Sequence, residues 1–219
     1  MRPRVIAIDG AAGSGKSTLA RGLARALHLP YVNTGLMYRA LAASAMRAGV
    51  NADDEAGLAE LAARLRFKVR PGAPAHLEVE GFDSTELVST AVEASVSAVA
   101  RHPRVRNLLR AHQRRLGDMA DGAVMEGRDI GSVVFADAPV KLYLTADPSV
   151  RAIRRAGERR ADEVATAAAL RARDRRDART NPFEPPRDAD VIDTTHLTVG
   201  DALDAALDVV RERAPELIV

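Results

Sequence analysis

The sequence contains no cysteine and no tryptophan, and only three of its 32 basic residues are lysine. The absence of cysteine excludes disulfide bonds and thiolate metal sites, and it fits a reducing compartment. No run of about 18 apolar residues is present, and the opening MRPRVIAI is too short for a secretory signal. We therefore expect a cytoplasmic protein that does not associate with membranes.

Charge and length narrow the class of protein further. The net charge is only +2, so overall charge does not favour nucleic acid as a partner. With 219 residues, of which 47% are hydrophobic, the chain is long enough for one well-packed domain with a small insertion. We expect a single globular domain.

Segments that predict strands alternate with segments that predict helices. Val5–Ile8 is short, apolar and rich in β-branched residues, and the next segment places Leu19, Leu23 and Leu27 on one helical face. Further strands are predicted at 31–32, 122–127, 140–146 and 189–195, and further helices at 35–48 and 199–214. Such alternation predicts an α/β fold, with a parallel sheet covered on both faces.

Two segments interrupt this alternation. Residues 66–82, RFKVRPGAPAHLEVEGF, show a period of two around a Pro/Gly turn, which predicts a small antiparallel hairpin inserted into the α/β body. Residues 154–163, RRAGERRADE, are dense in charge and contain a glycine. Two interpretations of that segment stay open: a mobile surface segment, or a solvated turn between helices.

The segment GAAGSGKST, residues 10–18, matches the phosphate-loop pattern G-x-x-x-x-G-K-[ST] between a predicted strand and a predicted helix. In such a loop the backbone N–H groups and the positive end of the helix face phosphate oxygens. The lysine reaches the β- and γ-phosphates, and the hydroxyl after it supplies an oxygen to Mg²⁺. The expected nucleoside-triphosphate site comprises Gly10, Ala11, Ala12, Gly13, Ser14, Gly15, Lys16, Ser17 and Thr18, with Ser17 on the metal.

The phosphate loop is shared by switches, motors and kinases, so other segments must select the reaction. A guanine-specific switch needs N-K-x-D on a late strand, and the lysines at 16, 68 and 141 leave no such motif. A translocating motor usually needs a longer chain and a strand that ends in paired acids, which the sequence lacks. A small kinase remains.

Four further segments make the chain resemble a known family. They are NTGLMYRALA at 33–42, HPRVRNLL at 102–109, EGRDIGSVVFADAPVKLYL at 126–144 and RARDRRDART at 171–180. Together they resemble the cytidylate kinase family of bacterial nucleoside monophosphate kinases, over a region from about residue 4 to the last helix. The GRDIGSVVFADAPVK segment is far more specific than the phosphate loop.

The resemblance implies a five-stranded parallel sheet of phosphate-loop type, flanked by helices, with an inserted monophosphate-binding subdomain and a lid. It implies one kinase domain over 1–219, with a core at 1–65, 100–150 and 181–219, an insert at about 66–99 and a lid at about 151–180. The implied activity is transfer of the γ-phosphoryl group of ATP, as its Mg²⁺ complex, to CMP or dCMP.

The resemblance also implies a role for each residue that matches the family's motifs. Arg128 grips the acceptor phosphate and Arg39 lies near it, while Tyr38 stands against the base. Thr34 helps to hold the acceptor nucleotide, and Arg173 and Asp177 bond the sugar hydroxyls. The residues implied to read the cytosine edge are Ser97, Arg106 and Asp129. The full set expected to bind the acceptor is Thr34, Tyr38, Arg39, Ser97, Arg106, Arg128, Asp129, Arg173, Asp177 and Arg179.

The implied catalytic groups are cationic. Lys16 and Arg128 are joined by three arginines of RAIRR that close over the transferring phosphoryl group, namely Arg151, Arg154 and Arg155. One position departs from the family pattern: Thr180 stands where its last arginine is expected, and Arg179 lies one place earlier.

Alternatives stay open at this point. Arg106, Arg110 and Arg114 lie four apart and share one helical face, which fits a solvated face as well as an anion-binding one. Two other candidates remain. One is another small kinase, acting on UMP or shikimate, and the other is a nucleotide-dependent nucleic-acid-binding module that uses the arginines of 101–115. We expect a monomer that binds no nucleic acid and holds no metal through its five histidines.

Overall fold

A computed structural model describes residues 3–118, 122–159, 162–180, 182 and 184–218. Within these ranges the chain alternates strands and helices, as the apolar pattern predicts. The strands are β1 Val5–Gly10, β2 Tyr31–Asn33, β3 Phe67–Arg70, β4 His76–Val79, β5 Ala123–Glu126, β6 Val140–Thr145 and β7 Asp190–Asp193.

The helices of the described ranges include all those predicted from the sequence. They are α1 Lys16–Ala26, α2 Gly35–Ala48, α3 Glu55–Arg64, α4 Ser84–Leu87, α5 Thr90–Ala100, α6 Pro103–Asp118, α7 Pro148–Arg159, α8 Glu163–Thr180 and α9 Val199–Arg213. A π-helical turn at Ile130–Val134 follows β5, and a 3₁₀ turn at Pro215–Leu217 follows α9.

The strands form one sheet in the order β3-β4-β2-β5-β1-β6-β7. Five neighbouring strands of this sheet pair in parallel, namely β2, β5, β1, β6 and β7. Parallel pairing is expected for strands joined by crossover helices. The predicted hairpin is present, with β3 antiparallel to β4, but β4 also pairs with β2. The count of five strands is therefore too low, because the two hairpin strands extend the same sheet.

Helices cover both faces of the sheet, and each face has its own apolar core. On one face α1 and α9 pack with Leu23, Ala206 and Val210 completely buried. On the other face α2, α3, α5 and α6 enclose a core that includes Leu41 and Leu109. Burial of both sheet faces explains why β1, β5 and β6 have continuous apolar runs rather than alternating ones.

The charged segment 154–163 is largely helical. Its first part belongs to α7, which ends at Arg159, and α8 begins at Glu163. Residues 160 and 161 of this segment lie outside the described ranges. Within those ranges, none of the helices combines the length and the apolar character that crossing a lipid bilayer requires.

The parallel register brings the carboxyl ends of three neighbouring strands together. Asn33 of β2 stands opposite Glu126 of β5, and Ile8 of β1 stands opposite the same glutamate. The loops after β1, β2 and β5 therefore open at one edge of the sheet. Open parallel sheets bind ligands at this edge.

Candidate active site

The phosphate loop leaves β1 and enters α1 through backbone conformations that favour glycine. Gly10 has φ +141°, and a Cβ there would lie 2.2 Å from the carbonyl oxygen of Leu144. Gly13 has φ +77°, and a Cβ there would lie 2.9 Å from the carbonyl oxygen of Arg151. The loop is thus packed closely against β6 and α7, and only glycine fits at these two positions.

Lys16 lies over the loop. Its Nζ donates a hydrogen bond to the carbonyl oxygen of Ala11 at 2.6 Å. Burial, with a further contribution from the nearby charge of Arg128, lowers the pKa of Lys16 to about 7. Because phosphate oxygens favour the charged ammonium, a bound triphosphate is expected to raise this pKa again.

Ser17, the predicted metal ligand, lies beside an acidic residue that the sequence analysis missed. The Ser17 hydroxyl donates to Oε2 of Glu126 at 2.9 Å, and the hydroxyl of Tyr31 donates to Oε1 of the same side chain. Glu126 is buried at the end of β5. The available signal for Glu126 was a single acid at the end of an apolar strand. The sequence analysis considered only a strand that ends in paired acids, as in a translocating motor.

One pocket lies directly beside the phosphate loop and includes Lys16 and Ser17 in its walls. Nine of the ten residues predicted to bind the acceptor line it as well, although they come from five separate parts of the chain. These residues are Thr34, Tyr38, Arg39, Ser97, Arg106, Arg128, Asp129, Arg173 and Asp177.

Asp129 is the acidic centre of the far wall of this pocket. Its Oδ2 accepts hydrogen bonds from Arg106 Nη2 at 3.0 Å and from Arg110 Nη2 at 2.7 Å. No hydrogen bond from a described residue reaches its other oxygen, Oδ1. Tyr38 stands nearby, and burial together with the charge of Asp129 raises the pKa of its phenol to about 12. The wall therefore presents a neutral ring, the guanidinium of Arg106 and one carboxylate oxygen, while Arg110 holds Asp129 from outside the pocket.

Asp177 organises the opposite wall. Its Oδ1 accepts from the Ser97 hydroxyl at 2.8 Å, and its Oδ2 accepts from Arg128 Nη2 at 3.1 Å. Arg128 also donates to the carbonyl oxygen of Gly10 at 2.5 Å. Arg128 thus joins the phosphate loop to helix α8, and it also lines the pocket.

A second buried carboxylate missed by the sequence analysis holds the segment that carries Arg128 and Asp129. Asp9, the residue before the phosphate loop, accepts hydrogen bonds from the backbone N–H groups of Ile130 at 2.9 Å and Gly131 at 2.7 Å. Burial raises the pKa of Asp9 to about 6. This contact ties the GRDIG segment to the base of the phosphate loop.

The three predicted lid arginines have different positions. Arg155 lines the pocket beside the phosphate loop. Arg151 contacts the carbonyl oxygen of Ala12 at 3.1 Å and Asp174 at 2.7 Å. Arg154 instead donates to the carbonyl oxygen of Thr194 at 2.6 Å, beyond the end of β7. Of these three, Arg155 alone therefore lines the pocket beside the phosphate loop.

Arg179, the tenth predicted acceptor residue, does not line the pocket. It borders a neighbouring groove between α5, α6 and α8 that also contains Arg101, Arg110 and Arg176. The residue at the family's arginine position, Thr180, does line the pocket beside the phosphate loop. A shift of one residue along a helix rotates a side chain by about 100°, which is why Arg179 faces the groove.

Glu93 is a third carboxylate that the sequence analysis did not single out. It lies in the first turn of α5, and its Oε1 accepts hydrogen bonds from Arg173 at 2.6 Å and Arg155 at 2.7 Å. The sequence offers no signal for it, because its partners come from other helices.

The parallel sheet, the phosphate loop at its carboxyl edge and the adjoining basic pocket together define a phosphate-loop kinase for a small acceptor. Comparison with known proteins supports this class. The family described as "Cytidylate kinase" matches this chain over residues 6–212. A cytidylate kinase from Mycolicibacterium paratuberculosis is 42% identical over 220 residues, covering 96% of each chain. One from Pelotomaculum thermopropionicum is 49% identical over 146 residues, which span 65% of this chain and 64% of that protein.

The chain therefore belongs to the cytidylate kinase family. It is a nucleoside monophosphate kinase that transfers a phosphoryl group from ATP to CMP. Family membership does not favour the alternatives of a UMP or shikimate kinase or a nucleic-acid-binding module. The fold also resembles a solved structure, an uncharacterized protein from Eubacterium ventriosum, with a TM-score of 0.57 at 17% identity over 97% of this chain and all of that one.

Proposed function

We propose that the pocket beside the phosphate loop holds the monophosphate, that dCMP is a second acceptor, and that Mg²⁺ accompanies ATP. The observation that carries this proposal is the convergence of nine predicted acceptor residues on one pocket with Lys16 and Ser17. The donor and acceptor phosphates must meet for direct transfer. A shared wall between the triphosphate site and the acceptor pocket provides that meeting point.

Asp129, Arg106 and Ser97 recognise the base in this proposal. Cytosine presents an amino donor at position 4 and acceptors at N3 and O2, so a carboxylate matches the donor and a guanidinium matches the acceptors. Two arginines hold Oδ2 of Asp129, which leaves Oδ1 for the amino group. Uracil has an acceptor at position 4 and a donor at N3, the reverse of cytosine at both positions. Its carbonyl oxygen at position 4 would therefore face the carboxylate. An unpaired buried group costs about 1 to 3 kcal/mol, so the pocket is expected to reject UMP.

Arg173 and Asp177 hold the sugar. Asp177 is already held by Ser97 and Arg128, so the aspartate presents its carboxylate in one orientation. A deoxyribose keeps the 3′-hydroxyl and loses only the 2′-hydroxyl. We therefore expect dCMP to react, with an affinity that depends on how much the pocket uses the missing hydroxyl.

Phosphoryl transfer in this site needs positioning and charge neutralisation rather than a strong base. The nucleophile is a phosphate oxygen that is ionised near neutral pH. Lys16 and Arg128 neutralise charge on the two sides of the transferring group, and Arg155 closes the site from α7. Helices α7 and α8 form the lid, residues 151–180, and the segment 66–99 forms the monophosphate-binding insert. Closure of the lid excludes water, which would otherwise hydrolyse ATP.

The donor set beside Ser17 fits Mg²⁺. The hydroxyl of Ser17 and the buried carboxylate of Glu126 are hard oxygen groups 2.9 Å apart, and Mg²⁺ prefers such ligands together with phosphate oxygens and water. Ser17 would bind the ion, and Glu126 would accept hydrogen bonds from its water ligands. The ion would supply charge neutralisation for the triphosphate.

The test is ADP formation measured with each common nucleoside monophosphate in turn. CMP and dCMP should support turnover, UMP should be much poorer, and AMP and GMP should be essentially inert because their bases are larger. A preference for UMP would overturn the assignment of Asp129 to the cytosine amino group. Omission of Mg²⁺ should abolish turnover with every acceptor.

A further inference from the structure

Glu93 joins arginines from three other helices at the edge of the acceptor pocket. Its Oε1 lies 2.6 Å from Arg173 of α8, 2.7 Å from Arg155 of α7 and 3.9 Å from Arg39 of α2. The glutamate side chain is 11% exposed. One carboxylate oxygen therefore lies at the meeting point of the acceptor-binding helices and the lid.

A carboxylate at this place opposes binding of a phosphate. Arg39, Arg155 and Arg173 all line the pocket that also contains Lys16. A negative charge close to these groups repels an incoming phosphate and offsets part of their attraction. An uncharged residue at position 93 would therefore give the pocket a higher affinity for phosphate.

The geometry supplies a compensating role. The guanidinium groups of Arg155 and Arg173 repel each other. Burial, with a smaller contribution from the charge of Arg155, lowers the pKa of Arg173. A shared carboxylate oxygen removes this repulsion and fixes both side chains in one direction. Because Glu93 belongs to α5 and the arginines to α7 and α8, the same contact holds the lid helices against the acceptor-binding part.

We propose that Glu93 is a positioning residue, which holds Arg155 and Arg173 in the orientation needed for phosphoryl transfer. The inference rests on the proposed function, in which these two arginines face the transferring group and the acceptor. Glu93 itself touches no reacting atom in this proposal. It acts through the arginines, at some cost in affinity for the phosphates.

Replacement of Glu93 by glutamine tests the proposal, because E93Q keeps the length of the side chain and removes its charge. We expect kcat to fall by about tenfold to about a hundredfold, as is typical when a reacting geometry is misplaced. The KM for ATP should stay unchanged or become lower, since a repelling charge is removed. A purely structural loss would instead raise KM and lower the melting temperature. Wild-type kcat in folded E93Q would overturn the proposal.

Glu158 provides a matched control. It pairs with the same arginine, Arg155, at 2.7 Å, but from within α7 and at 55% exposure. Glu158→Gln removes a carboxylate from Arg155 without releasing α7 from α5, so its kcat should stay within about twofold of wild type. A loss in E158Q as large as that in E93Q would contradict a specific role for Glu93.

A double-mutant comparison distinguishes failure of the proposed role of Glu93 from failure of the proposed role of Arg155. If Glu93 acts through Arg155, E93Q should lower kcat little further in an R155A background, whereas fully additive losses would overturn the proposal. If R155A alone has wild-type kcat, the proposed role of Arg155 fails. If R155A is impaired while E93Q is not, only the role of Glu93 fails. If E93Q does not fold, E93D is used instead. It keeps the charge, but its side chain is one methylene shorter, so the carboxylate lies farther from the two arginines. Wild-type kcat in E93D would also overturn the proposal.

Discussion

The hydroxyl of Ser17 donates a hydrogen bond to Oε2 of Glu126, at 2.9 Å, across the carboxyl edge of the sheet. The strand β5 therefore contributes a buried acid to the phosphate loop of β1. This pairing links the hydroxyl of the motif to a residue 109 positions away in the chain.

Glu126→Gln should weaken the use of Mg²⁺. The amide keeps the shape of the side chain but removes the charge that orients water on the ion, and outer ligands of this kind affect metal affinity by about 10- to 100-fold. We expect a higher Mg²⁺ concentration for half-maximal turnover, measured as ADP formation in a Mg²⁺ titration. Tyr31→Phe, which removes the other hydroxyl on Glu126, is the control and should shift the titration less. An unshifted titration in E126Q would remove Glu126 from the metal site.

Lys16→Ala should reduce kcat by about a hundredfold or more while the fold is retained. The backbone of the loop depends on its glycines, so the side chain is not needed for its shape. Lys68→Ala is a matched control, since this lysine lies on β3 and is 52% exposed. The measurement is steady-state turnover together with a thermal melt. Near-wild-type turnover in folded K16A would contradict the role of the loop.

ATP binding should take up a proton at about pH 8.5. The pKa of Lys16 is lowered to about 7, so its amine is mostly neutral there, and bound phosphates raise the pKa and favour the charged form. Titration calorimetry in buffers with different ionisation enthalpies measures the uptake. K16A should abolish it, and an uptake that persists in K16A would assign the proton to another group.

The same lowered pKa affects stability. Between about pH 7 and the usual pKa of 10.5, the unfolded chain binds more protons at Lys16 than the folded chain does. The contribution of this residue to the free energy of unfolding therefore rises with pH across that window. Urea unfolding of wild type and K16A at several pH values measures the difference.

Arg155 and Arg154 are expected to behave differently although they are neighbours. Arg155→Ala should lower kcat by about 10³-fold, because comparable arginines contribute about 10³ to 10⁵ in phosphoryl transfer. Arg154→Ala should mainly lower the melting temperature, since Arg154 donates to the carbonyl oxygen and the hydroxyl of Thr194. Full kcat in R155A, or a large kcat loss in R154A without destabilisation, would reverse the assignment.

Asp129→Ala should lose most activity on CMP and narrow the ratio of kcat/KM between CMP and UMP by about tenfold or more. The variant removes the acceptor for the cytosine amino group and leaves two guanidinium groups without their carboxylate. Asp137→Ala is the control, because Asp137 is 57% exposed and pairs with Arg114. An unchanged ratio in D129A would place base recognition elsewhere.

Much of the fold was predictable because its signals are local. The strands β1, β5 and β6 each contain an apolar run, and α2 occupies the predicted range, Gly35–Ala48. The number of strands in the sheet was not predictable, because the pairing of β4 with β2 is a long-range contact that no local pattern encodes. The same holds for Arg154 and Arg179, whose motif positions did not reveal which way their side chains point.

By itself the sequence determined the phosphate loop, the order of strands and helices along the chain, and the family. Each of these depends on residues close together in the chain, where spacing, glycine content and apolar runs carry the information. Only the tertiary structure decided which carboxylate faces which arginine. Glu93 meets Arg155 across 62 residues and Arg173 across 80, so their contact arises from the packing of α5 against helices α7 and α8 and not from any pattern within one segment.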